Sequence, residues 1–82
     1  MTDTPLMDEL LALLAETFRV DLTEIDPDAQ LGELPQWDSM AHMDLMLALE
    51  VRYGVQITAE TIGGLTSLPL ILAHVEELQN GG

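Results

Sequence analysis

The sequence predicts an all-α fold, a small four-helix bundle with three main helices, a short third helix and a long loop between helices 1 and 2. Three segments carry apolar residues at the three- and four-residue spacing of an amphipathic helix. Alternating strand patterns are absent, and capping residues, prolines and glycines mark the helix ends. The 82 residues are expected to form one domain, residues 1–82, because the chain is too short for two.

The first helix is predicted at about residues 4–19. Thr4 is placed as its N-cap and Pro5 at the first helical position, where the missing N–H of proline removes no hydrogen bond. Arg19 is expected in the last turn, where a positive charge interacts favourably with the helix dipole. The predicted buried face consists of Leu6, Leu10, Leu13, Leu14 and Phe18.

A long connection follows at residues 20–37, where prolines, a glycine and several Asp and Thr residues argue against regular structure. Asp26, Asp28 and Gln30 have the spacing of the first ligands of an EF-hand calcium loop. Leu31 stands where that loop needs glycine, however, and Trp37 where it needs glutamate, so no metal site is predicted. Five apolar residues are expected to hold the connection against the core: Val20, Leu22, Ile25, Leu31 and Leu34.

The second helix is predicted at about residues 39–53, ending at Gly54, and it has two apolar faces. The inner face, expected to join the core, consists of His42, Leu45, Met46, Leu49 and Tyr53. The outer face consists of Met40, Met43, Leu47 and Val51, flanked by Asp44 and Glu50. An apolar surface ringed by carboxylates suits a protein partner, and methionine adapts to different surfaces. The alternative is a helix that is buried all round.

The third and fourth helices have clear boundary signals. Thr58 is expected to cap a short third helix that runs through Ile62 and stops at residues 63–64, which are both glycine. Ser67 is expected to cap the fourth helix, with Pro69 tolerated in its first turn. The buried stripe of the fourth helix is predicted to be Leu68, Ile71, Leu72, Val75 and Leu78.

The charge balance limits the possible partners. Fifteen acidic residues face two basic ones, Arg19 and Arg52, and the formal net charge is −13. This charge repels nucleic acids and anionic membranes, and it favours basic patches on other proteins, although acidity also serves solubility alone. No cysteine is available for disulfides or thiolate metal sites. Without a secretory signal or an apolar run of about 20 residues, the protein is expected in the cytoplasm, with no membrane insertion.

Ser39 lies at the start of the second helix, directly after Asp38. Either residue serves as an N-cap, which is the structural interpretation of the pair. A small enzyme using Ser39 with His42, one turn later, is the alternative, but no nucleophile elbow or further partner accompanies them, so no catalytic residue is predicted. A helix N-terminus stabilises an anion, so a phosphate on this serine would be favoured.

Residues 37–40 (WDSM), together with residues 48–57 (ALEVRYGVQI), resemble the acyl carrier protein family. The family pattern is a D-S-L or D-S-M motif followed by ALE-x-x-(F/Y)-G-(I/V)-x-I. Residues 24–29 (EIDPDA) are also similar to the segment that approaches the family's serine, so the resemblance covers nearly the whole chain. Two departures are Trp37, where many members have glycine, and Met40, where leucine is commoner.

The resemblance implies a 4′-phosphopantetheine arm, derived from coenzyme A, on Ser39, with Asp38 in support. It implies a non-catalytic monomer that holds acyl or aminoacyl cargo as a thioester. Its partners would be a phosphopantetheinyl transferase, a loading ligase or transferase, and acyl-processing enzymes with basic docking patches. The outer face would be the docking surface: Met40, Met43, Asp44, Leu47, Glu50 and Val51. The inner face, covered by Ile57, Ile62 and Leu65, would enclose part of an acyl chain. A carrier-like interaction module without an arm is the alternative.

Overall fold

Four α-helices make up most of the computed structural model, which describes residues 5–80. They are α1 (Pro5–Phe18), α2 (Ser39–Tyr53), α3 (Ala59–Gly64) and α4 (Leu68–Asn80). Helix α1 packs against both α2 and α4, and α3 packs against α2. Within residues 5–80 the only strand-like pairing is an isolated bridge between Gln30 and Ser67. The predicted all-α, four-helix fold is confirmed.

The core lies where α1, α2 and α4 meet, and the inner sides of these helices supply most of it. All five predicted core residues of α1 are buried. Two loop residues, Ala29 and Trp37, are also part of the core although they lie outside the helices. The buried apolar residues are Leu6, Leu10, Leu13, Leu14, Phe18, Ile25, Ala29, Trp37, Leu45, Met46, Leu49, Val55, Leu65, Leu68, Ile71 and Val75.

Helix α1 ends one residue earlier than predicted, because Arg19 adopts a left-handed conformation with φ 59°. The N–H of Val20 then donates to the carbonyl of Ala15 at 3.0 Å, which is the reversal that closes a Schellman motif. Arg19 is therefore the residue after the helix, and its placement in the last turn was wrong. Thr4, the predicted cap, lies outside the described residues.

The connection between α1 and α2 is more ordered than its composition suggests. Leu22–Glu24 form a short 3-10 helix, so the expectation of no regular structure was wrong for these three residues. Ile25 is buried and Val20, Leu31 and Leu34 pack against the core as predicted. Leu22 is exposed instead.

Backbone hydrogen bonds attach this connection to the start of α4. The N–H of Leu31 donates to the carbonyl of Thr66 at 2.8 Å, and the N–H of Leu68 donates to the carbonyl of Ala29 at 2.9 Å. These bonds flank the Gln30–Ser67 bridge. These bonds hold the long loop against the start of α4. Because the loop leads directly into α2, they also help to fix the position of the first residue of α2.

The caps of α3 and α4 are confirmed. The Thr58 side chain accepts from the N–H of Thr61, and the Ser67 hydroxyl accepts from the N–H of Leu70 at 3.3 Å. Helix α3 continues through residues 63–64, contrary to the prediction, because neither glycine takes a positive φ here and glycine weakens a helix without having to end it.

The buried stripe of α4 is shorter than predicted. Leu68, Ile71 and Val75 are buried and Leu72 is half-buried, whereas Leu78 is exposed. Leu78 belongs to the last turn of a helix about 20 Å long, beyond the buried part of the stripe. Asn80 is the last residue of α4.

Candidate attachment site and the two faces of α2

Ser39 is the first residue of α2, and Asp38 is its N-cap. The Asp38 Oδ1 atom accepts from the N–H of Ala41 at 2.9 Å, and the Asp38 carbonyl accepts from the N–H of His42 at 2.8 Å. Asp38 thus performs the capping that the sequence assigned to either residue. The Ser39 side chain is exposed and takes no part in the cap.

The start of α2 suits a covalently held anion. The N–H groups of Ser39 and Met40 have no acceptor inside the helix, because they belong to its first turn. They lie at the positive end of the helix dipole, where a phosphate is stabilised. An exposed hydroxyl at this point fits a phosphodiester on the Ser39 oxygen. The carboxylate of Asp38 is already engaged with Ala41.

The two faces of α2 are sharply different in burial. On the outer face the exposed fractions are 81% for Met40, 52% for Leu47 and 86% for Val51. Met43, Asp44 and Glu50 are exposed as well. The inner-face residues His42, Leu45, Met46 and Leu49 are buried, as predicted. The alternative of a helix buried all round is therefore excluded.

Among residues 5–80, His42 is the one buried polar residue, with 3% of its surface exposed. Its Nδ1 accepts from the indole N–H of Trp37 at 3.1 Å, and its Nε2 lies 2.8 Å from the carbonyl oxygen of Ile62. Because Nδ1 is an acceptor, Nε2 carries the ring proton and donates it to Ile62. The expectation that His42 joins the core is confirmed.

Trp37 completes this cluster directly before the Asp38–Ser39 pair. Its side chain is fully buried, and its ring centroid lies 5.5 Å from that of Phe18 and 6.1 Å from that of His42. Sequence reasoning treated Trp37 as a departure from two motifs, the calcium loop and the family pattern, and not as a core residue. The missed signal was a lone tryptophan in a polar loop, five residues before a histidine.

Tyr53 joins the C-terminal end of α2 to α1. Its hydroxyl donates to Oε1 of Glu9 at 3.0 Å. Burial raises the pKa of Tyr53 above its ordinary value, and the hydrogen bond to Glu9 raises the pKa further because it favours the protonated phenol. Tyr53 is partly buried and packs against the core, so it marks the edge of the inner face.

Two surface grooves lie beside the helices. A groove of about 370 Å³ between α1 and α2 is lined by Leu13, Glu16, Leu47, Ala48, Val51 and Arg52. A second groove, of about 470 Å³, lies between α3 and α4 and includes His74, which is half-buried. In the part of the chain that the structure describes, no cluster of His, Asp and Glu suits a metal ion. None of the helices there is long and apolar enough to cross a membrane.

Comparison with known proteins identifies the family of this chain. The family described as "phosphopantetheine attachment site" matches residues 8–75. An acyl carrier protein of Streptomyces coelicolor is 40% identical over 74 residues, which cover 88% of this chain and 79% of the relative. This chain belongs to the acyl carrier protein family. An acyl carrier protein of Helicobacter pylori (strain G27) is 26% identical over 72 residues, covering 88% of this chain and 92% of the relative.

A further relative, the acyl carrier protein MbtL of Mycolicibacterium paratuberculosis, is 39% identical over 54 residues, covering 66% of this chain and 61% of that protein. Family membership establishes a non-catalytic carrier whose prosthetic group is a covalently attached 4′-phosphopantetheine. The family works with phosphopantetheinyl transferases and acyl-processing enzymes.

Proposed function

We propose that Ser39 carries the 4′-phosphopantetheine arm of this carrier, and that acyl or aminoacyl cargo travels on the arm as a thioester. The observation that supports this most directly is the exposed hydroxyl of Ser39 at the positive end of α2, with Asp38 occupied as the cap. Asp38 then supports attachment by fixing the first turn of the helix.

The arm supplies a thiol, which a chain without cysteine lacks. The protein's own task at this point is to hold Ser39 at a rigid helix start and to leave it accessible. The capping bond from Ala41 to Asp38 supplies the rigidity. The exposure of Ser39 and Met40 supplies the access.

The outer face of α2 is proposed as the docking surface for the enzymes that act on the arm. These are a phosphopantetheinyl transferase using coenzyme A, a loading ligase or transferase, and later acyl-processing enzymes. Exposed apolar side chains at the centre and the carboxylates of Asp44 and Glu50 at the edge favour a partner with an apolar anchor inside a basic rim.

Intact-mass measurement tests the attachment. Incubation with coenzyme A, magnesium and a broad-specificity phosphopantetheinyl transferase should add the mass of one phosphopantetheine, and peptide mapping should place it on Ser39. Ser39→Ala should fold normally and stay unmodified. Thr23→Ala removes another exposed hydroxyl and should be loaded like the wild type. An unmodified wild type with several such transferases would favour the interaction module without an arm.

A further inference from the structure

Helix α3 is the most weakly packed helix of the bundle. It has six residues, and none of its side chains is buried. Its last two residues are Gly63 and Gly64, which have low helix propensity and no side chain to pack. Its apolar contact with the core comes from Ile62, which is only half-buried, so polar contacts carry more of the work of holding α3 in place.

The side chain of His42 provides such a polar contact. Its Nε2 donates to the carbonyl of Ile62 at 2.8 Å. Ile62 lies among the last four residues of α3, whose carbonyls have no intrahelical partner. At the same time Nδ1 accepts from Trp37, so the ring is fixed from both sides. His42 thus connects three segments: the residues just before Ser39, helix α2, and the end of α3.

We propose that His42 is a positioning residue for the reactions at Ser39, because it holds α3 beside the end of α2 that bears the arm. This proposal rests on the proposed function. His42 lies one turn after Ser39, about 4.5 Å along the helix axis. A protein interface typically covers about 800 Å² on each partner, so an enzyme acting at Ser39 also meets α3. A displaced α3 weakens binding of that enzyme without changing the chemistry at Ser39.

Two substitutions separate the two hydrogen bonds of His42. In His42→Asn, the side-chain oxygen replaces Nδ1 as the acceptor for Trp37, and the donor to Ile62 is lost. In His42→Gln, the side-chain nitrogen replaces Nε2 as the donor to Ile62, and the acceptor for Trp37 is lost. Each variant loses one buried hydrogen bond, so both should lower Tm. Only His42→Asn should release α3.

Hydrogen exchange and loading kinetics are measured on the same variants. In His42→Asn, the amides of Ile62 and Leu65 should exchange about 3- to 10-fold faster, the effect of one hydrogen bond. The KM of the phosphopantetheinyl transferase for the carrier should rise by a similar factor, with kcat within about twofold of the wild type. His42→Gln should have near-wild-type α3 exchange and KM despite its lower Tm.

Two variants of α3 itself test the proposal without touching the core. Thr58→Ala removes the exposed N-cap, whose hydroxyl accepts from the N–H of Thr61, and should raise both α3 exchange and KM. Gly63→Ala strengthens the helix, since a Cβ at this position meets open space. In the double variant with His42→Asn, Gly63→Ala should slow the exchange of the α3 amides and lower KM, in each case part of the way back to the wild-type value.

The outcomes are distinguishable. If KM rises in both His42 variants in proportion to their loss of Tm, the positioning role is overturned. It is also overturned if KM stays unchanged in a variant whose α3 amides exchange faster. Unchanged α3 exchange in both His42→Asn and Thr58→Ala would overturn the anchoring of α3. A wild type that no transferase loads would overturn the proposed function, and with it the role of His42 at Ser39.

Discussion

The two faces of α2 present similar apolar side chains to opposite environments. Leu49 on the inner face is fully buried, whereas Leu47 on the outer face has 52% of its surface exposed. Met46 is fully buried and Met40 is 81% exposed. The same residue types therefore stabilise the fold on one side and remain in water on the other. The difference teaches that hydrophobicity alone does not identify a core position in this helix.

The polar residues around each face explain the division. The inner face meets α1 and the loop residue Trp37, and its fully polar member, His42, has both ring nitrogens paired within the chain. The hydroxyl of Tyr53, at its edge, donates to Glu9. The outer face is flanked by Asp44 and Glu50, whose carboxylates need water or a charged partner. The outer face can therefore be buried only by another molecule that brings positive charge to these carboxylates.

The largest effect is expected from removing equal side chains on the two faces. Leu49→Ala should lower the free energy of unfolding by about 2–5 kcal/mol, because it leaves a cavity in a fully packed site. Leu47→Ala should change it by no more than about 0.5 kcal/mol, since its side chain is half in water already. Urea unfolding followed by circular dichroism measures both. Equal destabilisation would show that the two faces are not distinct.

A smaller effect is expected from reversing charge beside the outer face. Asp44→Lys or Glu50→Lys should lower kcat/KM for loading of the arm about 3- to 10-fold, because a basic partner loses an attractive charge and gains a repulsive one. Added salt should slow wild-type loading and affect these variants less. Glu77→Lys on α4 makes the same change in net charge away from α2 and serves as the control. If all three variants load alike, only the total charge matters.

The smallest effect concerns Tyr53, at the edge of the inner face. Its pKa is raised in the folded state by burial and by Glu9, so the folded chain keeps the phenol proton at a pH where the unfolded chain has lost it. The resulting stability is fully present below pH 10, the ordinary pKa of tyrosine. It is lost as pH rises through the folded-state value.

Thermal unfolding between pH 8 and 11 checks this dependence. Tyr53→Phe cannot ionise and should show a weaker decline in Tm above pH 10 than the wild type. If Tm declines equally with pH in the two proteins, Tyr53 contributes nothing to the loss of stability at alkaline pH. The two arginines are present in both proteins and cancel in the comparison.

The helices, their caps and the division of α2 were predictable because they depend on local spacing. Apolar residues three and four apart identified the buried face of α1, and the Thr58 and Ser67 caps followed from residue type. The docking role of the outer face and the attachment at Ser39 remain predictions, since exposure permits both roles without assigning them.

The errors arose where tertiary contacts decide the conformation. Leu22 and Leu78 are apolar but exposed, and periodicity alone does not show where the buried surface ends. The left-handed Arg19 was missed because arginine gives no local signal for a positive φ. The bond from His42 to Ile62 joins residues 20 apart, so no local pattern predicts it.

The buried position of Trp37 has a spectroscopic consequence. It is the only tryptophan of the chain, so the tryptophan fluorescence of the protein comes from one indole. That indole is fully buried two residues before Ser39, and indole emission shifts to longer wavelength when water reaches the ring. Unfolding followed by fluorescence therefore reports on the segment that precedes the serine, and circular dichroism reports on the helices. Native protein already contains a site-specific optical probe at this segment, without any label.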